Sequence, residues 1–209
     1  MSFSRDGSAA ATRLHFIRAA ELRESPWKNG GGITREITVH PAGAGLDDFL
    51  WRVSAADVAA PGPFSRWEGV DRVLLVTRGG PIRLIQEDTG RAVVLPAGQG
   101  FRFAGEESYR CELPAGPVRD FNLMLRRTKA QGHVTTFRGA VARRLAPGHW
   151  LWHGWHGAYE MDLPGRLSRG ALEAGDTLHL SVPAGDCPVL RMTPKTEDAR
   201  LIVTRIEMA

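Results

Sequence analysis

The sequence predicts a mainly β protein built from two strand-rich units, and three observations carry that prediction. Apolar residues recur two apart in short runs, clusters of Gly and Pro separate the runs, and one phrase of strand, glycine turn and strand occurs twice. The two occurrences are RAVVLPAGQGFRF (91–103) and LEAGDTLHLS (172–181). Short strands at this spacing close into a barrel or pack as a sandwich.

Residues 1–12 are small and polar and are expected to form a flexible arm. LHFIRA, from Leu14, begins the first strand, and ELRESP (21–26) reads as a single helical turn stopped by Pro26. The strands that follow are ITREITVH (33–40), FLWRVSAA (49–56), DRVLLVTR (71–78), PIRLIQE (81–87), RAVVL (91–95), GFRF (100–103), YRCEL (109–113) and VRDFNLMLRR (118–127). HPAGAG, APGPF, RGGP, EDTG, LPAGQG and LPAGP supply the turns between them. Together these elements make an N-terminal barrel over residues 13–128. TKAQGH then connects to a smaller C-terminal unit over 129–209, with strands HVTTFRG (133–139), AVARRL (140–145), HWLWHGWHGAYEMDL (149–163), DTLHLSV (176–182) and ARLIVTRIEM (199–208).

Composition narrows the function. At 209 residues, 43% hydrophobic and 24% charged, the chain buries a core without needing disulfides. Its net charge of +4 comes from arginines dispersed along strands rather than gathered in a stripe, which argues against nucleic acid as a partner. Cys111 and Cys187 have no Cys-x-x-Cys spacing and read as structural thiols. With no apolar run of about 18 residues and no basic-then-apolar leader, a cytoplasmic protein without membrane contact is expected.

The strand and turn rhythm resembles a cupin, here a bicupin of RmlC-like jelly rolls. Many cupins hold a metal through an HxH pair, a following acid and a His after a Pro-x-Gly turn. In PFSRWEGVDRVLLVTRGG (63–80) the ligand-like positions carry Phe64, Arg66 and Arg72, and after Pro96 and Gly98 the expected His is Phe101. Phe does not ligate and Arg repels a cation, so the first barrel is expected to be metal-less, without a cofactor, and suited to anions. In HWLWHGWH, His149 and His153 share a strand face about 13 Å apart while His156 faces the other way, which favours an aromatic strand with partly exposed histidines over a zinc site.

PWKNGGGITREI (26–37) is the sharpest local feature. Three glycines let backbone N–H groups approach a ligand, yet Lys28 precedes them and no helix follows, so a phosphate loop is excluded and a plain turn is the alternative. This segment with FLWRVSAADV, GPFS, GVDR and GPVRDFN, in that order across about residues 14–127, resembles the HutD/Ves family. The resemblance implies a bicupin, an intracellular location and a regulatory or metabolite-binding role linked with histidine utilisation. Formylglutamate, formiminoglutamate or urocanate would then be the ligand.

Strand alternation groups the candidate binding residues. Arg52 and Ser54 share a face, as do Asp120 and Asn122, whereas Arg35 falls on the Ile33, Ile37 and Val39 face. Arg52 is assigned as the carboxylate clamp, with Ser54 and Asn122 giving neutral hydrogen bonds. Lys28, Asn29 and the backbone of Gly30, Gly31 and Gly32 close the mouth, Thr34 joins them, and Phe64 and Trp27 form walls. Internal ion pairs compete with a ligand for the remaining arginines, Arg72 with Asp71 or Asp57 and Arg119 with Asp120. Three functions stay open: a small-anion binding protein, a metal-independent lyase, isomerase or hydrolase using Glu36, Asp57 or Asp120 as base, and an interaction module working as a homodimer.

Overall fold

The computed structural model describes residues 11–165 and 168–209, and nineteen strands run through them. The predicted arm lies, for residues 1–10, outside the described residues. The first eleven are β1 (Arg13–Ile17), β2 (Glu24–Pro26), β3 (Gly32–His40), β4 (Trp51–Val58), β5 (Gly62–Pro63), β6 (Val70–Arg78), β7 (Ile82–Gln86), β8 (Ala92–Leu95), β9 (Gly100–Ala104), β10 (Tyr109–Glu112) and β11 (Val118–Arg126). Eight follow: β12 (Ala130–Arg138), β13 (Val141–Arg144), β14 (Gly148–His156), β15 (Tyr159–Leu163), β16 (Ser168–Leu172), β17 (Thr177–Val182), β18 (Val189–Pro194) and β19 (Arg200–Met208).

They form two compact units, one of residues 20–134 with 208 and 209, the other of residues up to 19 with 135–207. Each unit is a pair of sheets. The N-terminal unit has a six-stranded sheet, β2-β3-β4-β11-β6-β9, and a four-stranded one, β5-β10-β7-β8. The C-terminal unit repeats the plan as β1-β17-β14-β19-β12 and β13-β18-β15-β16. Adding eight to the labels β4 to β11 reproduces the order of both C-terminal sheets apart from β1, so the repeated phrase in the sequence marks a repeated topology. It falls at β8–β9 and at β16–β17, where one strand of each pair belongs to each sheet. The architecture is the cupin-like jelly roll that the strand rhythm predicts.

Alternation decides what each sheet buries. In the C-terminal unit, Trp150 and Trp152 of β14, Leu178 and Leu180 of β17 and Leu201 and Val203 of β19 meet Tyr159, Met161, Leu172, Leu190 and Met192 of the facing sheet. In the N-terminal unit, Val58, Leu74, Val76 and Val118 meet Ile82, Leu84, Leu95, Tyr109 and Cys111. Each fully buried side chain of this size contributes about 1.5–3 kcal/mol.

Four elements depart from the sequence reading. The strand at Arg13–Ile17 was expected in the N-terminal barrel but pairs antiparallel with β17 in the C-terminal unit, because Leu14 and Phe16 find their apolar partners there. Helix in ELRESP is confined to a 3-10 turn, Ala19–Glu21, and Glu24–Pro26 instead pairs with β3. HWLWHGWHGAYEMDL breaks at Gly157, whose φ of +63° and whose approach to Ala199 exclude a side chain. β18, between Pro188 and the terminal Pro194, was missed because proline-flanked runs read as loops.

Leu84 is fully buried between the two N-terminal sheets. Leu84→Ala is expected to lower the unfolding free energy by about 2–5 kcal/mol in urea titrations without changing the circular dichroism of the folded protein.

Candidate functional site

One face of the six-stranded sheet changes character along its length. Read from the apolar end, β4 presents Val58, Ala56, Ser54 and Arg52, β11 presents Val118, Asp120, Asn122 and Met124, and β6 presents Val76, Leu74 and Arg72. Cross-strand register aligns these changes. Asp120 lies opposite Ala56 and Val76, Asn122 opposite Ser54 and Leu74, and Met124 opposite Arg52 and Arg72. Thr34 and Glu36 of β3 extend the same rows beside Ala56 and Ser54. The apolar end packs on the four-stranded sheet, and the polar end floors a cavity of about 740 Å³.

The walls come from segments with too little periodicity to be strands. Trp27 stands on the cavity with its indole N–H donating to Thr34 Oγ1 at 2.8 Å, so Thr34 orients the wall. Across from it, Phe64 carries the Arg72 guanidinium over its ring at 5.5 Å, and Phe103 takes the other approach at 4.9 Å. Two aromatic faces hold a guanidinium whose desolvation would otherwise be very costly.

Four basic side chains, Arg23, Lys28, Arg52 and Arg72, line the cavity against two acidic ones, Glu36 and Asp120. Arg52 gives its Nε–H to Glu36 Oε2 at 2.7 Å, and Arg72 gives one terminal N–H to the Ser65 carbonyl at 3.1 Å. Arg72 and Asp120 are 6% and 4% exposed. Burial pulls the Arg72 guanidinium down to about 10, opposed by Asp120 and assisted by repulsion from Arg52. Burial pushes the Asp120 carboxyl up to about 7, against Arg72 and a hydrogen bond from the Ala56 backbone. Three buried polar atoms of this floor have no hydrogen-bond partner among the described residues: Arg72 Nε, Asp120 Oδ1 and Asn122 Oδ1. Such atoms cost about 1–3 kcal/mol each when left unpaired.

Of the residues singled out in the sequence, Lys28, Asn29, Thr34, Arg52, Ser54, Phe64 and Asn122 all line this cavity. The three glycines do not. The Gly30 N–H bonds to the Trp27 carbonyl and the Gly31 N–H to Asn29 Oδ1, while a Cβ on Gly32 would lie 2.5 Å from the Asp57 carbonyl and 3.1 Å from the Trp27 ring. They shape the turn that carries Trp27, and the amides of Gly30 and Gly31 are engaged there. The ion pair of Arg72 with Asp71 or Asp57, the alternative to a place in the barrel mouth, does not form: Asp71 bonds to Arg102 and Arg127, and Arg72 points inward with Leu74. The alternation of VDRVLLV holds that signal, since its inward side is otherwise apolar. Arg66, from the same group of ligand-like positions, pairs at 3.9 Å with Glu68 on the surface.

The opposite face of the sheet takes the remaining charges. Arg119 holds both Asp57 oxygens at 2.7 Å, Arg35 bridges Asp57 and Glu24, and Arg78 approaches at 3.5 Å. The expected Arg119–Asp120 pair does not form because neighbours in a strand point to opposite faces. Arg35 and Val39 likewise part company, since a bulge between Glu36 and Thr38 inserts one residue and reverses the alternation. The Arg119 hydrogen bonds hold the Asp57 carboxyl down at about 2, so it cannot serve as a base near neutral pH.

In the C-terminal unit, the histidines of β14 go to separate partners. His149 meets His179 at 3.1 Å, His153 meets Thr177 Oγ1 at 2.8 Å and His156 meets Asp198 at 2.7 Å. His153 is buried rather than partly exposed. Among the described residues no three His, Cys, Asp or Glu side chains form a group able to hold a metal ion.

The family model described as HutD matches residues 19–199. A 21.2 kDa protein in the hutC 3′ region of Pseudomonas putida is 38% identical over 61% of the chain and 66% of its own length. Protein Ves of Cronobacter sakazakii is 38% identical over 58% of the chain and 65% of its length, so the chain spans just under two thirds of these two relatives. Among solved structures, a conserved protein of unknown function from Pseudomonas aeruginosa PAO1 superposes with a TM-score of 0.85 at 32% identity, covering 93% of this chain and 99% of that one. HutD from Pseudomonas fluorescens SBW25 gives 0.80 at 28% identity, covering 94% and 100%. A cupin 2 conserved barrel protein from Leptotrichia buccalis shares the fold, with a TM-score of 0.53 at 12% identity over 84% and 89%.

The two carboxyls on β4 and β11 carry opposite pH signatures. Asp57 is depressed below its ordinary 3.8, so its stabilisation is full above about pH 4 and is lost as pH falls toward 2. Asp57→Asn is expected to lose about 1–3 kcal/mol at pH 7 and to flatten the acid limb of the stability curve. Asp120 is raised, so its contribution falls between about pH 4 and 7 as the unfolded chain ionises and the folded one does not. Asp120→Asn is expected to remove that decline. Urea unfolding from pH 2 to 8 reads both.

Proposed function

Because the chain belongs to the HutD family through residues 19–199, we propose that it binds a small anionic metabolite and has a regulatory or sequestering role in histidine degradation. The observation that carries this reading is the floor of the cavity, where Arg52 and Arg72 lie beside buried polar atoms that have no hydrogen-bond partner among the described residues. A guanidinium in a recessed site of low dielectric favours a carboxylate strongly, and the excess of basic over acidic lining residues adds long-range attraction. The volume accommodates a metabolite of the size of formylglutamate, formiminoglutamate or urocanate. The family name and the hutC 3′ region of the P. putida relative support the link with histidine degradation.

A second reading, a metal-independent lyase, isomerase or hydrolase, is favoured by one observation. Asp120 titrates near neutrality inside the cavity, which suits a general base or acid. The Cys111 thiol does not assist it as a thiolate, since burial pushes it up to about 12. Product formation from any of the three compounds, followed by proton NMR, would favour this reading over simple binding.

Isothermal titration with those three compounds is expected to show saturable one-site binding of at least one without turnover. Arg52→Ala is expected to weaken it roughly tenfold to a hundredfold with the fold intact, the range that charged hydrogen bonds give. The absence of a heat signal for all three, or an Arg52→Ala protein with parental affinity, would remove the assignment.

A further inference from the structure

Other carboxyls of the six-stranded sheet are tied to guanidinium groups: Glu36 to Arg52, Asp57 to Arg119 and Arg35, and Asp71 to Arg102 and Arg127. Asp120 is held differently. It lines the cavity at 4% exposure, receives a hydrogen bond from the Ala56 backbone and keeps Oδ1 without a partner among the described residues. The charge that favours its ionised form is that of Arg72, on the neighbouring strand β6. An anion seated on Arg72 withdraws that support. It also brings a second negative charge into a recess of low dielectric, where two like charges side by side are costly. A proton on Asp120 removes the repulsion and breaks no hydrogen bond at Oδ1, which accepts none.

We propose that occupation of the cavity by an anion draws one proton from water onto the Asp120 carboxyl, so that affinity falls as the medium turns alkaline. The step forms an O–H bond on Asp120 and leaves the ligand chemically unchanged. This rests on the anion-binding reading and adds a regulation to it. The surrounding groups leave the proton to Asp120. No histidine is among the described residues that line the cavity. On β10 of the facing sheet, burial holds the Cys111 thiol and the Tyr109 hydroxyl up at about 12, and Glu112 pairs with Arg83. Arg72, drawn down to about 10, keeps its charge near neutrality. Glu36 of β3 is engaged by Arg52 of β4, and Asp57 adds a fixed negative charge from the other face of the sheet. Arg23 and Lys28 are the remaining basic residues of the lining. In the empty cavity Asp120 titrates at about 7, and loss of the support from Arg72 moves it higher.

The test is a calorimetric titration of N-formyl-L-glutamate, whose carboxylates stay ionised throughout, into the full chain at pH 6 and pH 8. Two buffers of unlike ionisation enthalpy are used at each pH, and the difference in heat between them counts the protons taken up. Uptake is expected to be small at pH 6, where Asp120 already carries its proton, and to approach one at pH 8. Affinity is expected to fall about tenfold between the two. Asp120→Asn, which has no charge to lose, is expected to bind equally at both pH values without uptake and about tenfold tighter than the parent at pH 8. Equal parental affinities with no uptake at pH 8, or release of a proton, would overturn the coupling while leaving anion binding in place. Uptake that persists in a folded Asp120→Asn would overturn it too. Should circular dichroism show that the variant does not fold, the parental buffer series decides alone. If N-formyl-L-glutamate, formiminoglutamate and urocanate all fail to bind at either pH, the anion-binding reading falls and this inference with it.

Discussion

A guanidinium and a carboxyl buried on one sheet face, each keeping a polar atom unpaired, set the constraint to which the N-terminal unit is built. Neither charge reaches water easily, so the surroundings must carry the desolvation cost. Phe64 and Phe103 do this for Arg72 through their ring faces, and the Ala56 backbone does it in part for Asp120. The same surroundings keep the pair from collapsing into an ordinary core. Stability is given up locally in exchange for a cavity whose chemistry is fixed before any ligand arrives.

The jelly-roll repeat makes this visible by contrast. In the C-terminal unit Trp150, Trp152, Tyr159, Met161 and Met192 pack together at 0–2% exposure. In the N-terminal unit the same sheet order ends in Arg52, Arg72, Asp120 and Asn122. One topology therefore supports an apolar cluster in both copies, and in the N-terminal copy a few inward-facing positions on three strands add a polar-floored recess beside it. Irregularities refine it. The bulge at Glu36 and Thr38 leaves Glu36 on the cavity face to engage Arg52, and the shift between Arg119 and Asp120 brings Arg78 into line with Arg119 on the outer face.

Much of this could be read in the sequence, because period two is a strong signal and side-chain chemistry is local. Arg52 with Ser54 and Asp120 with Asn122 share a face by counting alone, and the cavity unites them. What could not be read depends on partners distant along the chain. Arg119 and Asp57 are adjacent only because β4 and β11 pair, and the Phe64 and Phe103 rings that receive the inward Arg72 are brought to it only by the fold. A bulge leaves no mark in composition, so the fate of Val39 relative to Arg35 was invisible. The three glycines drew attention for their freedom, yet at Gly32 the need is for absence of bulk against Trp27 and the Asp57 carbonyl.

The pairing of β1 with β17 has a consequence for the order in which the protein assembles. Thr12 anchors to Asp186 across 174 residues of chain, and the strand beside it cannot find its neighbour until nearly all of the C-terminal unit has left the ribosome. Residues 20–134 can meanwhile gather their own two sheets, whose strands all lie within that stretch. The segment synthesised before that unit is thus among the last to settle, and until it does, β17 presents a bare edge on which nascent chains can stick to one another.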